Sequence, residues 1–171
     1  MSKKIITLGT WNDKPIEWVV LNEDEFSILV ISRYEIFKRY FDSSSSNNNW
    51  GSSDLRKYLN NDFYKSAFNE DEKKKILNVK LTDVNNTKDN VFILSESELN
   101  SLLLKDGDDD YENMHYADCA YCIWTRTKDS SYVRSGYAEG CWCTKYSSET
   151  HAVRPAMYLK KLKDDDTPYS I

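Results

Sequence analysis

The four cysteines, Cys119, Cys122, Cys141 and Cys143, are the residues of this chain most suited to chemistry, and all lie between Tyr111 and His151. They form two close pairs, Cys119-x-x-Cys122 and Cys141-x-Cys143. Four thiolates suit tetrahedral zinc, but structural zinc sites favour pairs with two to four intervening residues, and Cys-x-Cys departs from that spacing. On a strand Cys141 and Cys143 point to the same face, which leaves bridging or chelation open. The plainer alternative is partly buried thiols in a reducing compartment. Structural thiols come first, with metal held by Cys119, Cys122, Cys141 and Cys143, and disulfide or redox use, as the other readings.

Other chemistry is weaker. Asp106, Asp108 and Asp110 occupy positions one, three and five of a calcium-loop pattern, but position six is Tyr111 and position twelve is Ala117, where that pattern needs Gly and Glu. No Glu-Pro-Asn triplet is present either. The acidic run reads as a solvated loop. His115 and His151 are the only histidines, and neither sits in a recognisable nucleophile motif; a surface or interface role fits them. Glycine is scarce and no phosphate-binding loop occurs. The chain therefore reads as non-enzymatic, with no cofactor.

The same stretch, Tyr111 to His151, holds half of the twelve tyrosines and is poor in Leu, Ile and Val. Tyr and Trp supply rigid contact area, and Ser, Thr and Asn supply adaptable hydrogen bonds. If Cys141 to Tyr146 is a strand, Trp142, Thr144 and Tyr146 share one face, opposite Cys141, Cys143 and Lys145. The expected ligand contacts are Tyr121, Tyr132, Tyr137, Glu139, Trp142, Thr144, Tyr146 and His151. Trp124, Arg126, Arg154 and Pro155 are assigned to structure, because a guanidinium can pin irregular loops with its fork of hydrogen bonds.

These residues need a scaffold. Ile5 to Trp11 and Ile16 to Leu21 flank the turn Asn12-Asp13-Lys14-Pro15 as a hairpin, and Phe26 to Ile31 suits a buried strand. Ser43 to Asn49 is a polar exposed loop. Ser53-Asp54 caps a helix over Leu55 to Leu59, Asn69 and Glu72 open a second from Asp71 to Leu77, and Ser95 with Glu98 opens a third through Leu104. Val79 to Leu81 and Val91 to Leu94 look like a strand pair. Further strands are expected at Ile123 to Thr127, Ser131 to Ser135, Cys141 to Tyr146 and Val153 to Leu159. The mixture predicts one α+β domain over residues 1–171. Residues 1–110 form its scaffold, 111–151 its contact region and 152–160 a closing core strand.

A net charge of −5 gives no basic footprint, so nucleic acid is not the expected partner. The opening Met1 to Leu8 has too short an apolar run for a signal peptide, and no membrane insertion is expected. Cytoplasmic synthesis follows, with a phage particle or non-classical surface display left open, and the oligomeric state is left open too. The expected partner is a protein or cell-surface ligand.

Several blocks are recognisable in order along the chain. Ile6-Thr7-Leu8-Gly9, Ile16-Glu17-Trp18-Val19-Val20-Leu21 and Leu29-Val30-Ile31-Ser32 resemble the opening of a bacterial and phage domain family of unknown function. Trp50 to Asn60, Phe63, Ala67-Phe68 and Val91 to Ser95 resemble its middle. Tyr116-Ala117, Trp124-Thr125-Arg126 and Val153-Arg154-Pro155-Ala156 resemble its C-terminal marks. The departures are Ile123 in place of a tryptophan, Thr127 in place of a serine and Ala152 before Val-Arg-Pro. That family is similar to the C-type-lectin-like fold of the formylglycine-generating, sulfatase-modifying enzymes. The resemblance implies antiparallel sheets, termini in one sheet, short helices and an irregular C-terminal region that displays ligand contacts. In some members a diversity-generating retroelement mutates adenines before the final strand, which yields residue types that are abundant between Tyr111 and His151. The enzymes' Gly-Gly-Ser-Trp-type signature is absent here, so a copper-dependent oxidase using these cysteines is the alternative. A structural component of a phage or larger assembly is the third reading.

Overall fold

Asn12 and Asp13 both hold positive φ, at 49° and 61°, the backbone that a two-residue type I′ hairpin turn requires. They join β1 (Ile5–Trp11) to β2 (Lys14–Glu23), so the turn is tighter than the sequence suggests and Pro15 is the second residue of β2, opposite Thr10. The computed structural model describes residues 4–84, 86–103, 122–136 and 142–161. Within it, β3 (Ser27–Ser32) runs antiparallel to β2, and β11 (Ala156–Lys160) runs antiparallel to β3. The four-stranded sheet therefore has the order β1-β2-β3-β11. Ile28 to Ile31 are all buried, as expected of a strand covered on both faces.

The second sheet has the order β4-β10-β7-β8-β9. Its strands are β4 (Phe37–Tyr40), β7 (Ile123–Asp129), β8 (Tyr132–Gly136), β9 (Trp142–Lys145) and β10 (Thr150–Val153). All pairs are antiparallel except β10 with β7, which is parallel at Ala152 and Ile123. A small ribbon pairs β5 (Val79–Leu81) with β6 (Thr87–Asp89). The fold is α+β, mostly strand, with few short helices.

Capping side chains start the helices where the sequence places them. Ser53 accepts the Arg56 N–H to open α1 (Asp54–Tyr58), which continues through a π segment, Leu59–Phe63, into α2 (Tyr64–Ala67). Asn69 and Glu72 form a reciprocal capping box for α3 (Glu70–Lys73), and Ser95 and Glu98 form another for α4 (Glu96–Glu98). The helix expected through Leu104 instead passes into a π segment, Leu99–Leu103.

Three further expectations are corrected. Val153 to Leu159 is two strands in two sheets, because Pro155 has no N–H for a ladder. Its carbonyl accepts from Ser32 N, and the Arg154 guanidinium donates to the carbonyls of Ser32 and Arg33. Val91 to Leu94 does not pair with β5. It runs buried through the core, its backbone held by the Asn60 amide at Asn90 and Val91, by Ala156 at Phe92 and by the Arg126 N–H at Leu94. Phe37–Tyr40 forms β4, which no sequence pattern announced.

Trp18, Trp50 and Trp124 are fully buried between these layers. Each indole N–H has a partner: Leu8 O at 2.8 Å, Asp89 Oδ2 at 3.0 Å and Arg39 O at 2.8 Å. Such pairing avoids the cost of a buried unsatisfied donor.

Candidate functional site

The β7–β8–β9 meander and the residue that follows it carry Tyr132, Trp142, Thr144 and Tyr146. Asp129 pairs with Tyr132 across a two-residue turn in which Ser130 holds φ 51°. In the next pair of strands Val133 lies opposite Lys145 and Arg134 opposite Thr144. This register sets Tyr132 and Tyr146 against each other. Their ring centroids are 5.1 Å apart with the planes at 62°, an edge-to-face contact. The Tyr132 O–H donates to the Tyr146 oxygen, and that hydrogen bond, with the negative charge of Tyr146 when ionised, raises the Tyr132 phenol above its ordinary value. Tyr146 is 53% exposed and Thr144 is exposed beside it. β9 forms one edge of its sheet.

Other elements fix this face. The Glu96 carboxylate takes Arg134 Nε at 2.8 Å and Nη2 at 3.0 Å, a bidentate clasp. The Asn48 amide donates to the carbonyls of Ser130 and Tyr132. Ser147 Oγ donates to Ser44 O at 2.8 Å, and Ser147 O accepts from Phe41 N and Asp42 N. The polar loop around Ser43 to Asn49 is thus pinned to the β7–β8 turn and to Ser147, just after β9, which lie side by side. A cleft of about 310 Å³ opens beside it, lined by Asn48, Trp50, Asp83, Ser95, Arg126 and Lys128.

Among the expected contacts, Tyr132, Thr144 and Tyr146 come together here, and Trp142 lies in β9. His151 does not join the exposed face. It is buried on β10, its ring 4.7 Å from Trp124 in an edge-on contact. Tyr121, Tyr137 and Glu139 lie outside the described residues, as do Cys119, Cys141, His115 and the acidic run from Asp106. Cys122 and Cys143 approach to 3.4 Å between sulfurs, across the two sequence pairs rather than within either. No cluster of three or more possible metal ligands occurs among the described residues. Trp124, Arg126, Arg154 and Pro155 are all buried. Arg134 was not singled out in the sequence, although its place two residues after Tyr132 on an expected strand would have put both on one face.

A family model described as a domain of unknown function, DUF6273, matches residues 26–161. The chain belongs to that family. No significant match is found among curated proteins or among solved structures. The DUF6273 match runs from the start of β3 through β11 and includes the whole meander, while β1 and β2 precede it. No helix among the described residues is long and apolar enough to cross a membrane.

His151 gives a titratable probe of this region. Among the described residues neither ring nitrogen makes a hydrogen bond of good geometry, and Nε2 lies 3.4 Å from the Glu149 carboxylate. Burial pushes the imidazole below its ordinary value of 6.5; Glu149 opposes that shift and Lys145 reinforces it. With the folded value lowered, the unfolded chain takes up the proton first, so the stability is complete above about pH 6.5 and is lost as pH falls towards the folded value. The melting temperature should therefore drop between pH 7 and about 5.5 by more in the native chain than in His151→Phe. Equal slopes in the two proteins would show that His151 does not titrate on unfolding.

Proposed function

We propose that this chain is a non-enzymatic binding domain that offers the β8–β9 face to a protein or cell-surface ligand, on a scaffold of the C-type-lectin-like kind. The Tyr132–Tyr146 ring pair carries this reading. It places two phenols on an edge hairpin beside an exposed threonine, held in position by Asn48 and by the Glu96–Arg134 clasp before any ligand arrives. Aromatic groups give contact area at a low entropic cost, and a face fixed in advance lowers that cost further. The lectin-like scaffold is supported by β1 and β11 lying in one sheet and by the short capped helices between them. Diversification by a retroelement rests on residue types alone. It requires a near-copy of the codons for residues 111–151, differing mainly at adenines, beside a reverse transcriptase gene.

The test is a panel of purified bacterial and host surface proteins, probed with the native chain and with the triple variant Tyr132→Ala, Thr144→Ala, Tyr146→Ala. At least one partner should be lost by roughly 100-fold or more, as removal of hot-spot aromatics implies. The melting temperature should fall by no more than about 5 °C, because an aromatic pair contributes only ~1 kcal/mol. A variant that binds like the native chain, or one whose fold collapses, would sink the assignment.

A further inference from the structure

The β1–β2 hairpin ends beside the loop that follows β3, and a cleft of about 410 Å³ lies between them. Its walls are mainly apolar, with Trp11 and Pro15 on the hairpin and Tyr34 and Ile36 on the loop. Trp11 is half-buried and packs on the core, its ring 5.2 Å from Phe63 and 5.8 Å from Phe37. Tyr34 is 40% exposed, and the Arg33 guanidinium lies 5.1 Å from its ring centre. Both rings are therefore set before a ligand arrives. The cleft has donors to spare. Trp18, Trp50 and Trp124 each place the indole N–H on an oxygen. The Trp11 indole N–H has no partner among the described residues, and it is not sealed from solvent. Lys14 is exposed beside the hairpin turn and forms no ion pair among the described residues. The Asn12 amide offers both a donor and an acceptor. The two carboxylates of the cleft are already engaged: Glu17 takes Arg33 at 2.9 Å, and Glu35 faces Lys38 at 3.8 Å.

A ligand that fits must stack rigid apolar groups on two rings and bring carbonyl oxygens with few N–H groups of its own. A helix spends its carbonyls internally, and a strand brings a donor with each acceptor. A polyproline II segment leaves its carbonyls unpaired, and each proline removes a donor and adds a rigid ring. We propose that this cleft docks a proline-rich segment of a partner protein in the polyproline II conformation. Its proline rings lie on Trp11 and Tyr34, and its carbonyls accept from Trp11 Nε1, Lys14 Nζ and the Tyr34 hydroxyl. The chain's own prolines, Pro15, Pro155 and Pro168, are isolated in sequence, so the segment comes from another protein. The site is separate from the β8–β9 face. It is built from β1, β2 and the loop after β3, and its hairpin residues precede residue 26, where the family match begins.

The probes are fluorescein-labelled synthetic peptides a dozen residues long that share Pro-x-x-Pro, each matched by a version with both prolines replaced by alanine. Polarisation should saturate with peptides of the proline set, and their alanine versions should bind at least about tenfold more weakly. Tyr34→Ala removes an exposed ring and should weaken binding by roughly tenfold or more. Trp11→Phe keeps a ring against Phe37 and Phe63 but drops the N–H, and should weaken binding about fivefold. Phe26→Ala, at an exposed ring at the other end of β2, should bind like the native chain. In proton–nitrogen spectra the Trp11 indole signal, identified by its loss in Trp11→Phe, should move on titration while those of the buried indoles stay. Failure of every peptide in the set to saturate, equal binding of the alanine versions, or native-like binding by Tyr34→Ala would each overturn the proposal. So would saturation by the neutral oligosaccharide cellohexaose with no peptide bound. If Trp11→Phe fails to fold, Tyr34→Ala and the matched peptides decide alone.

Discussion

Arg126→Met is expected to destabilise the fold by about 3 kcal/mol, since removing one partner of a buried ion pair leaves the other charge uncompensated. Arg126 is 3% exposed and sits at the junction of β7, β5 and α4. Its Nε reaches Asp83 Oδ2 at 3.0 Å, its Nη1 the Ile93 carbonyl at 2.8 Å, and its Nη2 Glu98 Oε1 at 2.8 Å. The guanidinium also lies 5.5 Å from the Phe92 ring centre. One side chain thus serves a capping-box carboxylate, a backbone carbonyl in the buried 91–94 run and a loop aspartate. Asp83 is 45% exposed, so water screens that arm and the estimate stays at the low end of the range for buried pairs. Burial alone would raise the Glu98 carboxyl; hydrogen bonds and charge from Arg126, with help from Ser95, hold it below its ordinary value of 4.5. A depressed carboxylate contributes stability above its unfolded pKa and loses it as pH falls through the folded one. The difference between native and Arg126→Met chains should accordingly shrink below about pH 4.5. Urea unfolding should show a loss near 3 kcal/mol at pH 7, with partial recovery in Arg126→Met/Glu98→Gln, where the orphaned charge is gone. A loss under ~1 kcal/mol would mean that water or another side chain takes over the guanidinium's contacts.

The local rules of the chain were legible wherever a residue governs its own neighbours. Ser53, Asn69 and Ser95 each cap the helix that their positions announce, because a cap is decided within three residues. Apolar runs and the turn residues that flank them located β1, β2, β3, β7, β8 and β9 within a few residues. Non-local partners were not legible. Val91 to Leu94 has the composition of a strand, yet Asn60 and Arg126 satisfy its backbone from elsewhere in the chain. Phe37–Tyr40 is a strand only because β10 lies beside it. Pro155 was visible, but its consequence, a change of sheet inside one apolar run, depends on where Ser32 and Arg33 stand. The site divides in the same way. Thr144 and Tyr146 share a face by alternation along one strand, whereas their alignment with Tyr132 and the clasp on Arg134 come from cross-strand register. Cys122 meeting Cys143 is the clearest case, since spacing in sequence favoured the other pairings.

Gly9→Ala should be as damaging, at about 3 kcal/mol, through added bulk and backbone strain rather than a lost contact. Gly9 holds φ +74° in the irregular step of β1 between Thr7 and Thr10. An L-residue there meets its own backbone, at roughly 1–2 kcal/mol. The bulge also presses β1 against the end of α2: a Cβ at Gly9 would lie 2.7 Å from the Ala67 carbonyl oxygen and 2.7 Å from the Phe68 ring. Phe68 is 2% exposed and packs on Trp18 and Phe63, so the ring has little room to retreat, and overpacking of this kind adds roughly 1–3 kcal/mol. Relief by moving β1 away would stretch a third contact, because Gly9 N donates to Glu72 Oε1 at 2.9 Å. The other Glu72 oxygen accepts from Asn69 N at 2.8 Å in the capping box. Strand bulge, helix end and cap therefore yield together or not at all. Glu72→Ala removes only the hydrogen bonds and should cost about 1–2 kcal/mol. Combining it with Gly9→Ala should give less than the sum, because the two sites share a contact. Equilibrium urea unfolding of the two single variants and the double variant measures this directly. Strict additivity, or a Gly9→Ala loss below ~0.5 kcal/mol, would show that β1 can leave α2 without disturbing the cap.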